Sequence, residues 1–250
     1  MSAALHVEVN EKRFAESGSD GAHKQVIADL AFGVAAGEFV CICGPSGCGK
    51  TTLLNIVAGL DADFRGEVRF SDDQAREAVE LGYVFQNPRL LPWRTVEENV
   101  RLASPADSYD PALVGELMKV AGLAGERHSY PEKLSVGMSR RAALVRAFAM
   151  RPGVLLMDEP FVSLDAPTAT RLRRLLLDIW AQRRTTVLFV THDTHEAVEL
   201  ADRILLLSGS PTRLFHEIPV TLPRAERDGV WIERFRREHL LQHLDGVAQS

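Results

Sequence analysis

The chain has 250 residues, which is long enough for one large or two small domains, and 46% hydrophobic with 25% charged residues is typical of a soluble globular protein. The net charge of −5 argues against a surface that binds nucleic acid generally, so no nucleic-acid partner is expected. No apolar run is long enough to cross a bilayer and the first ten residues do not resemble a signal peptide, so we expect a cytosolic chain that reaches a membrane only through a partner.

The N-terminal part of the chain predicts several short strands. Residues 5–9 and 30–34 alternate between apolar and other side chains, which is typical of half-buried strands. Residues 17–21 are rich in serine and glycine and predict a turn or loop. Residues 68–70 and 81–85 are further strand candidates. These segments predict an antiparallel β layer beside a nucleotide-binding unit.

The most informative stretch, residues 44–52, reads GPSGCGKTT and fits the phosphate-binding pattern G-x-x-x-x-G-K-[ST]. An apolar strand, residues 39–43, precedes it, and a helix that stops at Gly59 follows it. Lys50 is expected to reach the β- and γ-phosphates of a nucleotide, and the Thr51 hydroxyl to hold magnesium. The expected nucleotide-binding residues of this loop are Gly44, Pro45, Ser46, Gly47, Cys48, Gly49, Lys50, Thr51 and Thr52.

The three cysteines do not form a disulfide framework, because the set is odd, small and clustered. Cys41 and Cys43 lie two apart on the predicted strand, so both face the same side and are expected to be small buried hydrophobes. Cys48 lies inside the phosphate loop, where we expect it to confer sensitivity to thiol reagents.

Residues 87–151 predict a helical subdomain inserted into an α/β core. Asp110 and Pro111 open one helix, and Ser135 is a good N-cap for another. Beyond residue 151, apolar strands at 154–157, 187–190 and 204–207 alternate with helices, which predicts a parallel sheet.

Polar residues follow three predicted strands, and the carboxyl ends of parallel strands meet at one edge of a sheet. Gly44 follows the first strand, Asp158 and Glu159 the second, and His192 the third. Phosphoryl transfer to water needs positioning and charge neutralisation. Asp158, Thr51 and Gln86 suit a magnesium shell, and Glu159 is placed to polarise water.

These motifs, in this order, resemble the ATP-binding subunit of ABC transporters over nearly the whole chain. The resemblance implies an α/β, P-loop NTPase (RecA-like) core with an N-terminal antiparallel β subdomain and an inserted helical subdomain. The implied single ABC-type domain, 1–250, comprises the core with its β subdomain (1–86 and 152–217), the helical subdomain (87–151) and a C-terminal extension (218–250). That extension is expected to pack on its own domain rather than to act as a regulatory tail.

The resemblance also implies roles for residues outside the phosphate loop. Gln86 matches the family's glutamine loop, His192 its switch histidine and Phe14 its adenine-stacking aromatic residue. Ser163-Leu164-Asp165 resembles the loop that crosses the dimer interface, which makes Asp165 a nucleotide-site residue. The implied catalytic residues are Glu159, His192, Lys50 and Gln86, the magnesium ligands are Thr51, Gln86 and Asp158, and the cofactors are ATP and Mg²⁺.

The chain departs from the family at its signature, usually written LSGGQ. Here the segment is Leu134-Ser135-Val136-Gly137-Met138, so Ser135 and Gly137 remain while Val136 and Met138 replace glycine and glutamine. In the family this segment caps the ATP of the opposite subunit. Our hypothesis is that the composite site still closes but turns over more slowly.

The implied partners are a second ATP-binding subunit, transmembrane permease subunits and, indirectly, a periplasmic or extracellular solute-binding protein. The chain would then lie at the cytoplasmic face of the inner membrane, with residues 87–94 in contact with the permease. Segments at 85–93, 158–161, 191–193 and 222–224 resemble the nitrate, sulfonate and taurine importer branch. Two alternatives are a soluble ABC-type ATPase that acts on nucleic acid or ribosomes and a slow-turnover nucleotide-sensing regulator.

Overall fold

The centre of the computed structural model is a six-stranded sheet. The structure describes residues 3–15, 23–70, 79–104, 109–162 and 164–243, so the predicted loop at 17–21 and Ser163 lie outside it. In spatial order the strands are β5 (Leu81–Val84), β6 (Val154–Asp158), β7 (Thr186–Val190), β3 (Phe39–Cys43), β8 (Arg203–Leu207) and β9 (Leu214–Pro219). All neighbours are parallel except β8 and β9, which confirms the predicted parallel sheet.

The sheet is buried on both faces, which explains the unbroken apolar runs of its central strands. On β3, Val40 and Ile42 join one hydrophobic core, while Cys41 and Cys43 join the core on the opposite face. The two cysteines therefore share a side and are buried, as predicted.

A second sheet of three antiparallel strands lies at the N-terminus, in the order β2 (His23–Val34), β1 (Leu5–Ala15) and β4 (Arg65–Phe70). This sheet confirms the predicted antiparallel layer. A register shift between Val9 and Glu11 breaks the alternation of β1 and leaves Lys12 on the buried side, where its Nζ donates to Asp61 Oδ1 at 2.8 Å and to the carbonyl of Asp63 at 2.6 Å.

Three helices lie within the range predicted for the helical subdomain: α2 (Val96–Ala103), α3 (Pro111–Val120) and α4 (Val136–Ala149). Asp110 caps α3 and Ser135 caps α4 through their side chains, as their sequence positions predict. From the other end of α4, Arg146 donates to the carbonyls of Pro88 at 2.8 Å and Arg89 at 2.9 Å. The subdomain thus holds the segment that follows Gln86.

The remaining α-helices of the described residues are α1 (Lys50–Ala58), α5 (Ala166–Arg183), α6 (Thr194–Leu200) and α7 (Gly229–Arg236), the last continuing as a π-helical turn, Arg237–Leu241. Short 3-10 helices lie at Ala124–Glu126, Pro131–Lys133 and Arg224–Glu226. Strand β9 was not predicted, and the expected boundary at residue 218 falls inside it. Ile232 and Leu240 are buried in the main core, so the described part of the tail packs on its own domain. No described helix is both long and apolar enough to cross a membrane.

Candidate active site

The phosphate loop joins the end of β3 to the start of α1 with the backbone geometry that its glycines permit. Gly47 and Gly49 have φ values of 75° and 110°, in the region that favours glycine. A Cβ on Gly49 would lie 2.9 Å from Val26 Cγ1, so a side chain there would also collide with β2. Because α1 begins at Lys50, directly after these glycines, the free amide groups of its first turn point toward the loop. This is the arrangement that binds a phosphate.

Lys50 is buried and its ammonium group lies within the loop. Its Nζ donates to the carbonyl oxygens of Gly44 at 2.9 Å and Pro45 at 2.7 Å. This positive charge beside the α1 N-terminus makes the loop a strong anion site.

Cys48 corrects one prediction. Its side chain is only 4% exposed, and burial raises the pKa of its thiol. A protonated, inaccessible thiol reacts slowly, because the thiolate is the nucleophile. The expected sensitivity to thiol reagents is therefore not supported by the geometry of the loop.

Thr51 and Asp158 meet across the space between α1 and β6. Thr51 Oγ1 donates to Asp158 Oδ2 at 2.8 Å, and the carboxylate is almost fully buried at the end of its strand. Burial raises the pKa of Asp158, and the hydrogen bond from Thr51 opposes that rise. A hydroxyl and a carboxylate oxygen side by side form the hard-oxygen donor set that suits Mg²⁺.

Glu159 is held over the same space by two side chains from neighbouring strand ends. Its Oε1 lies 3.1 Å from His192 Nδ1, and its Oε2 lies 3.5 Å from Gln86 Nε2. Its backbone has φ 46°, a left-handed value that costs energy for a residue with a side chain, and its N–H donates to the Val190 carbonyl at 2.9 Å. The strained turn therefore carries the carboxylate that lies beside His192 and Gln86.

These groups line one cavity of about 410 Å³. The lining residues are Ser46, Gly47, Gly49, Lys50, Thr51, Thr52, Gln86, Asp158, Glu159 and His192. A loop rich in amide donors faces an acid and a histidine across this space. The cavity can therefore hold a polyphosphate with a water molecule beside Glu159.

Seven predicted site residues are not among the described residues that line the cavity: Gly44, Pro45 and Cys48 of the phosphate loop, and Phe14, Ser135, Gly137 and Asp165 from other segments. Phe14 lies near the end of β1 with its ring exposed, and Lys12 Nζ lies 4.6 Å from the ring centroid. Ser135 and Asp165 use their side chains as N-caps of α4 and α5, accepting from the backbone amides of Met138 and Thr168. Gly137 lies in the first turn of α4.

No role was predicted for Lys12 or Glu196, two buried charged residues that lie near site residues. Alternation along β1 would have marked an inward lysine only if its register shifts had been known. A glutamate in the first turn of a helix is usually exposed to solvent, so the sequence does not indicate that Glu196 is buried.

Comparison with known proteins gives a consistent result. Residues 27–162, more than half of the chain, match the family described as ABC transporter. The aliphatic sulfonates import ATP-binding protein SsuB of Bacillus licheniformis is 42% identical over 224 residues, covering 88% of this chain and 86% of that protein. Its counterpart SsuB 2 of Burkholderia cenocepacia is 46% identical over 208 residues, covering 82% and 77%.

Among solved structures, a dimeric ATP-binding cassette in a post-hydrolysis state with ADP and phosphate superposes with a TM-score of 0.75 at 27% identity. The match covers 88% of this chain and 100% of that one. The resemblance and the P-loop fold predicted from the sequence are thereby confirmed. The chain belongs to the ABC transporter family, as one of its ATP-hydrolysing cassettes.

Proposed function

We propose that this chain is the ATP-hydrolysing subunit of an importer for sulfonate-like solutes. Such an importer belongs to the branch that transports nitrate, sulfonates and taurine. The proposal is supported by relatives named for aliphatic sulfonate import at 42–47% identity. The observation that carries the hydrolytic part is the pairing of Glu159 with His192 and Gln86 above the phosphate loop.

In the proposed reaction, Lys50 and the loop amides hold the β- and γ-phosphates of ATP. Thr51, Asp158 and Gln86 would hold Mg²⁺, which supplies charge neutralisation between the phosphates when it is bound. Glu159 orients the attacking water molecule and acts as the general base that accepts its proton. His192 holds Glu159 from one side and can contact the γ-phosphate.

Three of the residues outside the cavity, Ser135, Gly137 and Asp165, are assigned to the ATP of a partner subunit. Ser135 and Gly137 open α4 and Asp165 opens α5, so helix N-termini and backbone amides would face a nucleotide carried by a second subunit. Phe14 would stack on adenine with the face of its ring away from Lys12. The dimer would act on transmembrane permease subunits at the cytoplasmic face of the membrane, and a solute-binding protein would deliver the solute from outside.

The test replaces Glu159 with glutamine, which keeps the shape and removes the base. The variant is expected to bind ATP with unchanged affinity while its turnover falls by about 10²–10⁴-fold. Lys50→Met is the complementary variant and should instead weaken ATP binding. Normal turnover in Glu159→Gln would contradict the assignment of the water-activating group.

The solute class is tested separately in cells. Uptake of a labelled alkanesulfonate should depend on the wild-type chain and disappear when Glu159→Gln replaces it. Uptake of labelled nitrate, measured in the same cells, tests whether the importer transports nitrate instead. Uptake of the sulfonate in cells carrying only the variant would reject the proposed coupling.

A further inference from the structure

The residues on both sides of His192 are fixed by one buried hydroxyl. Thr191 Oγ1 donates to Glu196 Oε2 at 2.8 Å and accepts from the Asp193 amide at 3.0 Å. Thr191 itself is buried, and its own amide donates to the Ile42 carbonyl at 3.2 Å. The backbone that carries His192 is therefore tied to α6 and to β3.

Glu196 is an unusual residue for its position, because its side chain is only 11% exposed in the first turn of α6. A buried carboxylate is costly unless it is hydrogen-bonded and paired, and a well-packed apolar side chain is often at least as stabilising. Its partners are the Thr191 hydroxyl and Arg173 of α5, whose Nη1 lies 3.5 Å from Glu196 Oε1. An apolar replacement could fill the space but could not accept from Thr191.

His192 depends on this support more than a buried residue would. Its side chain is 56% exposed, so packing alone does little to hold the imidazole. It nevertheless lies 3.1 Å from Glu159 Oε1. The direction of the imidazole must then follow largely from the backbone between Thr191 and Asp193.

We propose that Thr191 and Glu196 are positioning residues that aim His192 at Glu159 and at the phosphate being transferred. This inference rests on the role proposed for His192. Glu196 accepts the hydroxyl proton of Thr191, the hydroxyl oxygen holds the Asp193 amide, and the histidine between them has one orientation. Arg173 connects the same carboxylate to α5, the helix that Asp165 caps.

Kinetics of the purified full-length chain test the inference. Thr191→Val keeps the shape and removes the hydroxyl, and we expect kcat to fall about tenfold while KM changes less than about twofold. Thr191→Ser restores the hydroxyl and is expected to recover turnover. Glu196→Leu should match Thr191→Val, whereas Glu196→Gln keeps an acceptor oxygen and should keep most of the turnover.

Glu199→Gln is the matched control. Glu199 Oε2 lies 2.7 Å from Nε of the same Arg173, but its carboxylate is not the acceptor of the Thr191 hydroxyl. This variant removes a comparable charge from α6 and is expected to leave kcat unchanged. A loss of turnover equal to that of Thr191→Val would overturn the inference, because it would assign the effect to the charge balance of α6.

The decisive measurement combines Thr191→Val with His192→Ala. If Thr191 acts through His192, the double variant turns over no more slowly than His192→Ala alone, within about twofold. A further tenfold loss would show a general structural role and overturn the inference. Full turnover in His192→Ala would reject the proposed function of His192, whereas impaired His192→Ala with intact Thr191→Val would reject only the positioning role.

Discussion

The hydrogen bond between Thr51 and Asp158 provides the sharpest quantitative test of the site. Thr51→Val keeps the shape of the side chain and removes the donor that lies 2.8 Å from Asp158 Oδ2. Hydrogen bonds to charged groups contribute roughly 1.5–3 kcal/mol. Because Thr51 and Asp158 both line the cavity of about 410 Å³ rather than the packed core, we expect the lower value, about 1.5 kcal/mol. For a chain of this length that loss corresponds to a fall in Tm of about 3–6 °C.

The effect of pH on this variant has a definite sign. Burial raises the folded-state pKa of Asp158 above its unfolded value, and the Thr51 hydrogen bond opposes the rise. Such a group favours folding below its unfolded pKa, and that contribution is lost as the pH rises through its folded pKa. The variant has a still higher folded pKa, so the stability gap between the two proteins is expected to widen as the pH rises.

The assay is thermal unfolding of the chain without nucleotide at several pH values, with Thr52→Val as the control. Thr52 is the next residue of α1, and its side chain is not a partner of Asp158. Both replacements exchange one β-branched residue for another in the same helix, so they share any change in helix propensity. Equal losses in the two variants, or a gap that narrows as the pH rises, would refute the reasoning.

Three further predictions concern the scaffold and the signature. Gly66→Ala is expected to lower the free energy of unfolding in denaturant by about 3 kcal/mol, because φ is 136° and the new Cβ would lie 2.0 Å from a backbone oxygen of β1. Gly115→Ala should instead raise it by about 0.5–1 kcal/mol, because Gly115 lies in the middle of α3 with open space at its Cβ. A disulfide-exchange reagent should label Cys48 slowly in the folded chain and rapidly in denaturant, and fast labelling of the native protein would contradict its burial. Val136→Gly combined with Met138→Gln restores the usual signature and is expected to raise the ATPase rate; an unchanged rate would show that the two departures are neutral.

Much of the cavity could be predicted because its residues are defined by strand ends. Gly44, Asp158 and His192 each lie at or just after the end of a short apolar run, and parallel strands bring such ends together whatever lies between them in the chain. Gln86 follows β5, the neighbour of β6, and belongs to the same edge.

The rest could not be predicted because it depends on register and packing. The register shift between Val9 and Glu11 in β1 decides that Lys12 faces inward, and no local sequence pattern predicts that shift. Burial of Cys48 arises from packing against segments distant in the sequence. Strand β9 was missed because most of its residues are exposed or half-buried at the sheet edge and it ends in proline, which is typical of an edge strand.

Arg146 gives the helical subdomain a mechanical property. Near one end of α4, Arg146 donates hydrogen bonds to the backbone carbonyls of Pro88 and Arg89, while Ser135 caps the other end of the same helix. Fourteen residues of α-helix make a stiff rod about 21 Å long. The backbone after Gln86 and the signature turn are therefore joined through a single helix, so the position of one fixes the position of the other.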